Sequence, residues 1–169
     1  MLAKMMRVLG KLAEMALVSF FLAVILLFFL PRLFHISQHV VLSGSMEPAI
    51  KTGSLCFIDH RVGYETIKEG DIIAFGRIDG SLVVHRVVRK DQGKMNTKGD
   101  ANEAEDLSFV TSKEYLGKAV LSIPCLGYAA AFLQRKESRA AVGILAATFF
   151  LAEIIHVLLK REDEHYEKT

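Results

Sequence analysis

Ser45 lies in the run Val40-Val41-Leu42-Ser43-Gly44-Ser45-Met46-Glu47-Pro48, an apolar, strand-like stretch that ends at a glycine turn. A serine hydroxyl becomes a useful nucleophile only when a neighbouring base takes its proton. Near neutral pH histidine suits that role, and it needs a carboxylate to fix its tautomer and stabilise its cation. His85, in Leu82-Val83-Val84-His85-Arg86-Val87-Val88, is the candidate base. Asp100 and Asp106, in Thr97-Lys98-Gly99-Asp100-Ala101-Asn102-Glu103-Ala104-Glu105-Asp106, are the candidate orienting carboxylates. Spacing alone leaves open which of them reaches the histidine. Asp100 could equally be a turn residue after Gly99, and Asp106 a helix cap or a solvated acid. The order Ser, His, Asp differs from the common serine-protease orders, but geometry and not order defines such a triad. Residue types alone are weak support, because six histidines and 19 acidic residues offer many such triples by chance.

The elements that must hold these groups read mostly as strands. Ser54 to Ile58, Asp71 to Phe75, Leu82 to Val88 and Leu116 to Ile123 are apolar and rich in β-branched residues. Their bounds are Lys51-Thr52-Gly53, Glu69-Gly70-Asp71, Asp79-Gly80 and Pro124. Asp79-Gly80 between two strand runs signals a hairpin. The expected fold is therefore mainly β: a small antiparallel domain, with a partly closed barrel as one form of it.

Apolar segments flank this domain. Leu12 to Leu30 is interrupted only by Glu14 and Ser19, and about 20 apolar residues cross a bilayer core of about 30 Å. Lys4, Arg7 and Lys11 precede it, as in a secretory signal. However, the run is longer than a signal h-region, and Pro31-Arg32-Leu33-Phe34 is no small-residue cleavage site, so an uncleaved anchor is expected. Ala140 to Leu159 is the second expected span, although Glu153 and His156 interrupt it. A membrane-surface or pairing helix is the other reading of that segment. Lys4, Arg7 and Lys11 before the first span, with Lys160 and Arg161 after the second, favour cytoplasmic termini and a multi-pass protein of the cell membrane. Arg32, Arg135, Lys136 and Arg139 run against that rule. The expected division is residues 1–34 as stub and anchor, 35–134 as extracytoplasmic domain, and 135–169 as second span and charged, mobile tail.

Composition narrows the function classes. The 169 residues are 51% hydrophobic, with mean hydropathy +0.31 and net charge +2. No basic stripe is present, which argues against nucleic acid as a partner. Cys56 and Cys125 are too few for a disulfide framework and read as two buried thiols, or as one bridge in an oxidising compartment. His35 and His39, four apart, could pair on a helix, but no third ligand is evident, so no metal is expected. Gly-rich phosphate loops are absent, and no cofactor is expected.

Four blocks in order give the chain a closer identity. Ser43-Gly44-Ser45-Met46-Glu47-Pro48, Gly70-Asp71-Ile72-Ile73, His85-Arg86-Val87 and Gly99-Asp100-Ala101-Asn102 with Asp106 resemble the motifs of type I signal peptidases. The likeness is to their Ser/His branch, found in archaea, the endoplasmic reticulum and some Gram-positive bacteria. Ala101 departs from the pattern, standing where that family usually has asparagine. The resemblance implies Ser45 as nucleophile, His85 as general base, Asp106 as its orienting carboxylate and Asp100 as a supporting one. It also implies the Ser45 N–H and the Ser43 hydroxyl as oxyanion donors; a turn hydroxyl is the alternative for Ser43. His85 occupies the block in which the other branch places a lysine base; Arg86 cannot serve, because arginine stays protonated. The substrate it implies is the signal peptide of an exported preprotein, added as a strand with small side chains entering shallow pockets. Met46, Val83 and Val84 are then candidate substrate contacts, although patterning alone reads Val83 and Val87 as core. The bilayer and the secretion translocon are further partners of this reading. A membrane-anchored assembly or client-binding factor that keeps the scaffold without cleaving is the alternative.

Overall fold

The computed structural model describes residues 2–138, 140–144 and 146–151. Contacts group the chain into two units, Met1–Gly127 and Tyr128–Thr169. The first opens with helix α1 (Leu2–Leu33), which carries Pro31 inside its last turn. A proline there removes a backbone donor where the helix is ending anyway. Strands β1 (Ile36–Val40) and β2 (Leu55–Asp59) follow, then a short 3₁₀ turn, Tyr64–Thr66. Strands β3 (Ile72–Gly76), β4 (Leu82–Asp91), β5 (Lys94–Lys98) and β6 (Tyr115–Ile123) complete the sheet. Helix α2 (Leu126–Gln134) comes next, and helical backbone recurs over residues 136–138, 140–144 and 146–151.

The six strands form one antiparallel sheet in the order β1-β2-β6-β3-β4-β5. Alternate residues point to opposite faces, and both faces are covered. Ile73, Phe75 and Val87 pack with Tyr64, Ile67, Met95 and Val110 in one cluster. Ala74, Cys56 and Ile58 pack with Met46 and Ile50 in the other. Burying a side chain such as Ile58 or Ile73 contributes about 1.5–3 kcal/mol, so the sheet is held from two sides. The Asp79-Gly80 hairpin forms as expected: Gly80 has φ +81°, and the Asp79 carboxylate accepts from the Ser81 N–H and hydroxyl at 2.8 and 2.6 Å.

Two strands depart from the sequence reading. β1 was not expected, because Ile36-Ser37-Gln38-His39-Val40 is half polar and short; its pairing with β2 makes it a strand. His39 therefore stands on a strand, and the helical spacing with His35 does not apply. β5 is Lys94-Met95-Asn96-Thr97-Lys98, with only Met95 and Thr97 buried. Gln92 and Gly93, with φ of 45° and 73°, turn the chain into it, as a two-residue hairpin loop requires. Cys125 also corrects the expectation of two buried thiols. It is exposed, in the turn after Pro124 with φ of 64°, while Cys56 is buried in β2. Both thiols are free.

Among the described residues no helix is long and apolar enough to cross a membrane. α1 nonetheless leaves Leu9, Leu12, Met15, Val18, Phe20, Leu22 and Leu26 exposed. The end of the second expected span, residues 152–159, and the whole charged tail lie outside the described residues.

Candidate active site

The loop from Val41 to Gly53 is closed at both ends by backbone bonds. Val41 N–H donates to the Ser54 carbonyl at 2.9 Å, and Gly53 N–H donates to the Val41 carbonyl at 2.8 Å. Inside it, the Glu47 N–H reaches the Gly44 carbonyl and the Ile50 N–H reaches the Met46 carbonyl. The Glu47–Pro48 peptide is cis. The Glu47 carboxylate accepts from the Thr52 N–H and hydroxyl at 3.1 and 2.9 Å, which holds it below the usual carboxylate range. Met46 and Ile50 enter the core, so the loop is pinned from below. Ser45, half-buried, is left at the mouth of a cleft of about 360 Å³.

His85 comes to Ser45 from β4, where it pairs with Ile73 of β3. It is 7% exposed, and its ring meets the edge of Phe75 at 6.2 Å between centroids. Its Nδ1 lies 2.7 Å from Asp106 Oδ2, and its Nε2 lies 3.2 Å from Ser45 Oγ. An ionised carboxylate only accepts hydrogen bonds. With Asp106 ionised, Nδ1 carries the proton and Nε2 is free to accept from the serine hydroxyl. Ser43 Oγ stands 3.3 Å from Ser45 Oγ on the exposed side.

The two aspartates separate. Asp106 faces His85. Asp100 instead makes a two-pronged pair with Arg86, at 2.8 Å from Nε and 2.6 Å from Nη2, and Arg86 also donates to the Gly70 carbonyl at 2.8 Å. The carboxylate raises the affinity of the Arg86 guanidinium for its proton. The expected blocks Gly70-Asp71, His85-Arg86 and Gly99-Asp100 thus meet through one arginine. The Gly99 block also grips the serine loop directly: Ala101 N–H donates to the Ser45 carbonyl at 2.9 Å. A Cβ on Gly99 would stand 2.5 Å from that carbonyl oxygen, so the close approach requires glycine.

The cleft runs between two extended segments. One wall is His39 to Ser43; the other is Leu82 to Val84 with Arg77, and Met46, Ile50 and Asn102 also line it. Val83 and Val84 both line the cleft, and both also pack against core clusters. β1 is an edge of the sheet, and β4 pairs with β5 only from Arg86 onward. Among the described residues, no β5 residue pairs with Leu82–His85.

Sequence reasoning missed two groups here. Thr97, on the unexpected β5, donates to Asp106 Oδ2 at 2.6 Å. A second serine–histidine cluster lies on β1: Ser37 Oγ is 2.9 Å from His39 Nε2 and 2.7 Å from His60 Nε2. His60 Nδ1 contacts the Leu116 carbonyl at 2.6 Å. Burial, and then the neighbouring His60, push the His39 imidazole below its ordinary value.

The chain is also similar to known proteins. The profile of the family described as signal peptidase, peptidase S26, matches residues 13–100, a stretch that includes Ser45, His85 and Asp100. The chain is 40% identical over 101 residues to the signal peptidase complex catalytic subunit SEC11 of Colletotrichum graminicola, covering 53% of this chain and 59% of that protein. The same-named subunit of Leptosphaeria maculans is 42% identical over 103 residues, covering 53% and 58%. That of Metarhizium acridum is 37% identical over 101 residues, covering 53% and 59%. The chain thus spans somewhat under two thirds of the curated relatives it matches.

Proposed function

The chain belongs to the signal peptidase family, peptidase S26, and we propose that it removes signal peptides from exported preproteins by a serine acyl-enzyme route. The observation that carries this reading is His85 standing between Ser45 at 3.2 Å and Asp106 at 2.7 Å, at the mouth of a strand-walled cleft.

In this mechanism the preprotein lies extended in the cleft, as a strand between the His39–Ser43 and Leu82–Val84 segments that line it. Met46, Val83 and Val84 line the space for its side chains. Ser45 Oγ attacks the scissile carbonyl carbon as its proton passes to His85 Nε2. Asp106 holds the resulting imidazolium through Nδ1–H. The oxyanion is received by the Ser45 N–H and the Ser43 hydroxyl; losing one such donor costs about 10²–10³ in turnover. His85 then returns the proton to the departing amine, which becomes the new N-terminus of the mature protein. The signal peptide remains esterified to Ser45 until His85 deprotonates a water that attacks the ester. That step releases the signal peptide as a carboxylate and restores the serine. Asp100 acts at one remove, through Arg86 and the Gly99–Ala101 backbone.

The proposed arrangement has three parts. Residues 1–34 anchor the chain, 35–134 form the catalytic domain outside the cytoplasm, and 135–169 follow as a second membrane segment and tail. The many exposed apolar side chains of α1 support the anchor. The relatives are named as subunits of a signal peptidase complex, so partner subunits and the secretion translocon belong to this proposal. A client-binding factor without activity is not favoured, because neither the serine nor the histidine has been lost.

The test is co-expression with a secreted preprotein in membranes, comparing wild type, Ser45→Ala and His85→Ala. The mature-size product is expected from wild type alone, with all three inserted equally. Equal processing by all three would overturn the assignment.

A further inference from the structure

We propose that Thr97 is a positioning residue of this site, its hydroxyl fixing the Asp106 carboxylate in the orientation His85 needs. The inference rests on the roles given above to Ser45, His85 and Asp106.

Asp106 is not part of a helix or strand; it lies in the irregular stretch between β5 and the Met95–Val110 bridge. Such a stretch does not by itself hold a carboxylate to a fraction of an ångström. Thr97 supplies the missing constraint, because it pairs with Val87 of β4, the strand that also carries His85. It grips Asp106 twice: the Asp106 N–H donates to the Thr97 carbonyl at 2.8 Å, and Thr97 Oγ1 donates to Asp106 Oδ2 at 2.6 Å. His85 Nδ1 reaches that same oxygen at 2.7 Å. Oδ2 therefore receives two donors, and their directions together fix the carboxylate plane. Thr97 is 0% exposed, so water does not replace its hydroxyl when it is removed, and a β-branched side chain in a strand has few rotamers to escape into.

The hydroxyl also affects proton affinity. A carboxylate that accepts a second hydrogen bond places less negative charge on the imidazolium. Deleting the hydroxyl should therefore stabilise the protonated histidine and move the acid limb of activity upward in pH. The other charged or titratable groups around the site are His39 and Arg77, which line the same cleft, and Arg86, which is paired with Asp100. Substitution at Thr97 leaves all of them unchanged.

The experiment uses the full chain in detergent with an internally quenched peptide carrying small residues at alternate positions before the cleaved bond. Wild type, Thr97→Ser, Thr97→Val, Thr97→Ala, Asp106→Asn and Ser45→Ala are profiled between about pH 5.5 and 9. Thr97→Ser should keep kcat within about twofold of wild type. Thr97→Val and Thr97→Ala should lose about tenfold in kcat, the kinetic scale of one charge-assisted hydrogen bond, with KM unchanged. Their acid limb should move to higher pH. Should Thr97→Val fail to fold, Thr97→Ser and Thr97→Ala still differ by the hydroxyl alone. Wild-type kcat and pH profile in Thr97→Ala, or equal impairment of Thr97→Ser and Thr97→Ala, overturns the inference. Activity retained in Ser45→Ala overturns the reading of the site itself. Inactive Ser45→Ala and Asp106→Asn beside unaffected Thr97 variants would overturn only the positioning role.

Discussion

Among the described residues, Ser45 and Ser37 both touch histidine, but only Ser45 has the arrangement the proposed mechanism needs. Ser45 meets one ring, His85, which is buried and backed by Asp106. Ser37 sits between two rings, His39 and His60, and the group behind His60 is the Leu116 carbonyl. The first arrangement has an anion ready to stabilise an imidazolium, whereas the second would place two cations about one hydroxyl. A serine–histidine contact is thus not a catalytic device in itself. What distinguishes the Ser45 site is the Asp106 carboxylate behind His85, the Ser43 hydroxyl beside Ser45 and the cleft they line.

The largest effect should come from removing the proposed nucleophile or base. Ser45→Ala or His85→Ala should eliminate detectable cleavage, while Ser37→Ala and His60→Ala should stay within about threefold of wild type in kcat/KM. Comparable losses at both serines would erase the contrast. Next in size is Asp106→Asn, which should lower kcat by roughly 10³–10⁴ with binding preserved, because an amide no longer selects the productive tautomer. A loss below tenfold would mean that the carboxylate matters little.

The third expected effect concerns folding. Gly99→Ala would press a methyl against the Ser45 carbonyl oxygen. It should lower stability by about 1–3 kcal/mol in urea unfolding and reduce kcat, since the loop carrying the nucleophile must shift. An unchanged midpoint would show that the loop yields easily.

The smallest is a pH effect confined to the Ser37 cluster. His39 has its proton affinity lowered in the fold. Its contribution to stability is therefore present above the ordinary histidine value of about 6.5 and is lost as pH falls below it. The gap in unfolding midpoint between wild type and His39→Gln should shrink on acidification from about pH 7.5 to 5.5. A gap that widens would reverse the assigned sign.

The sequence carried the sheet unevenly. β2, β3, β4 and β6 were legible because they are apolar runs punctuated by glycine and proline. β1 and β5 were not, because edge strands need few inward side chains: Met95 and Thr97 alone are buried on β5. The site shows the same division. Resemblance named Ser45, His85 and both aspartates, but their meeting depends on pairings 40 and 21 residues apart in the chain. The division of labour between Asp106 and Asp100 became visible only once Arg86 was seen to occupy the second. Thr97 had no local signal at all, since a threonine flanked by asparagine and lysine reads as surface.

The measurement that tests the central claim most directly is rapid acid quench of the wild-type chain during turnover, followed by peptide mass mapping. The account predicts the signal-peptide half of the substrate esterified to the peptide containing Ser45, and no adduct on the peptide containing Ser37. An adduct on another residue, or continued turnover by Ser45→Ala, would contradict it.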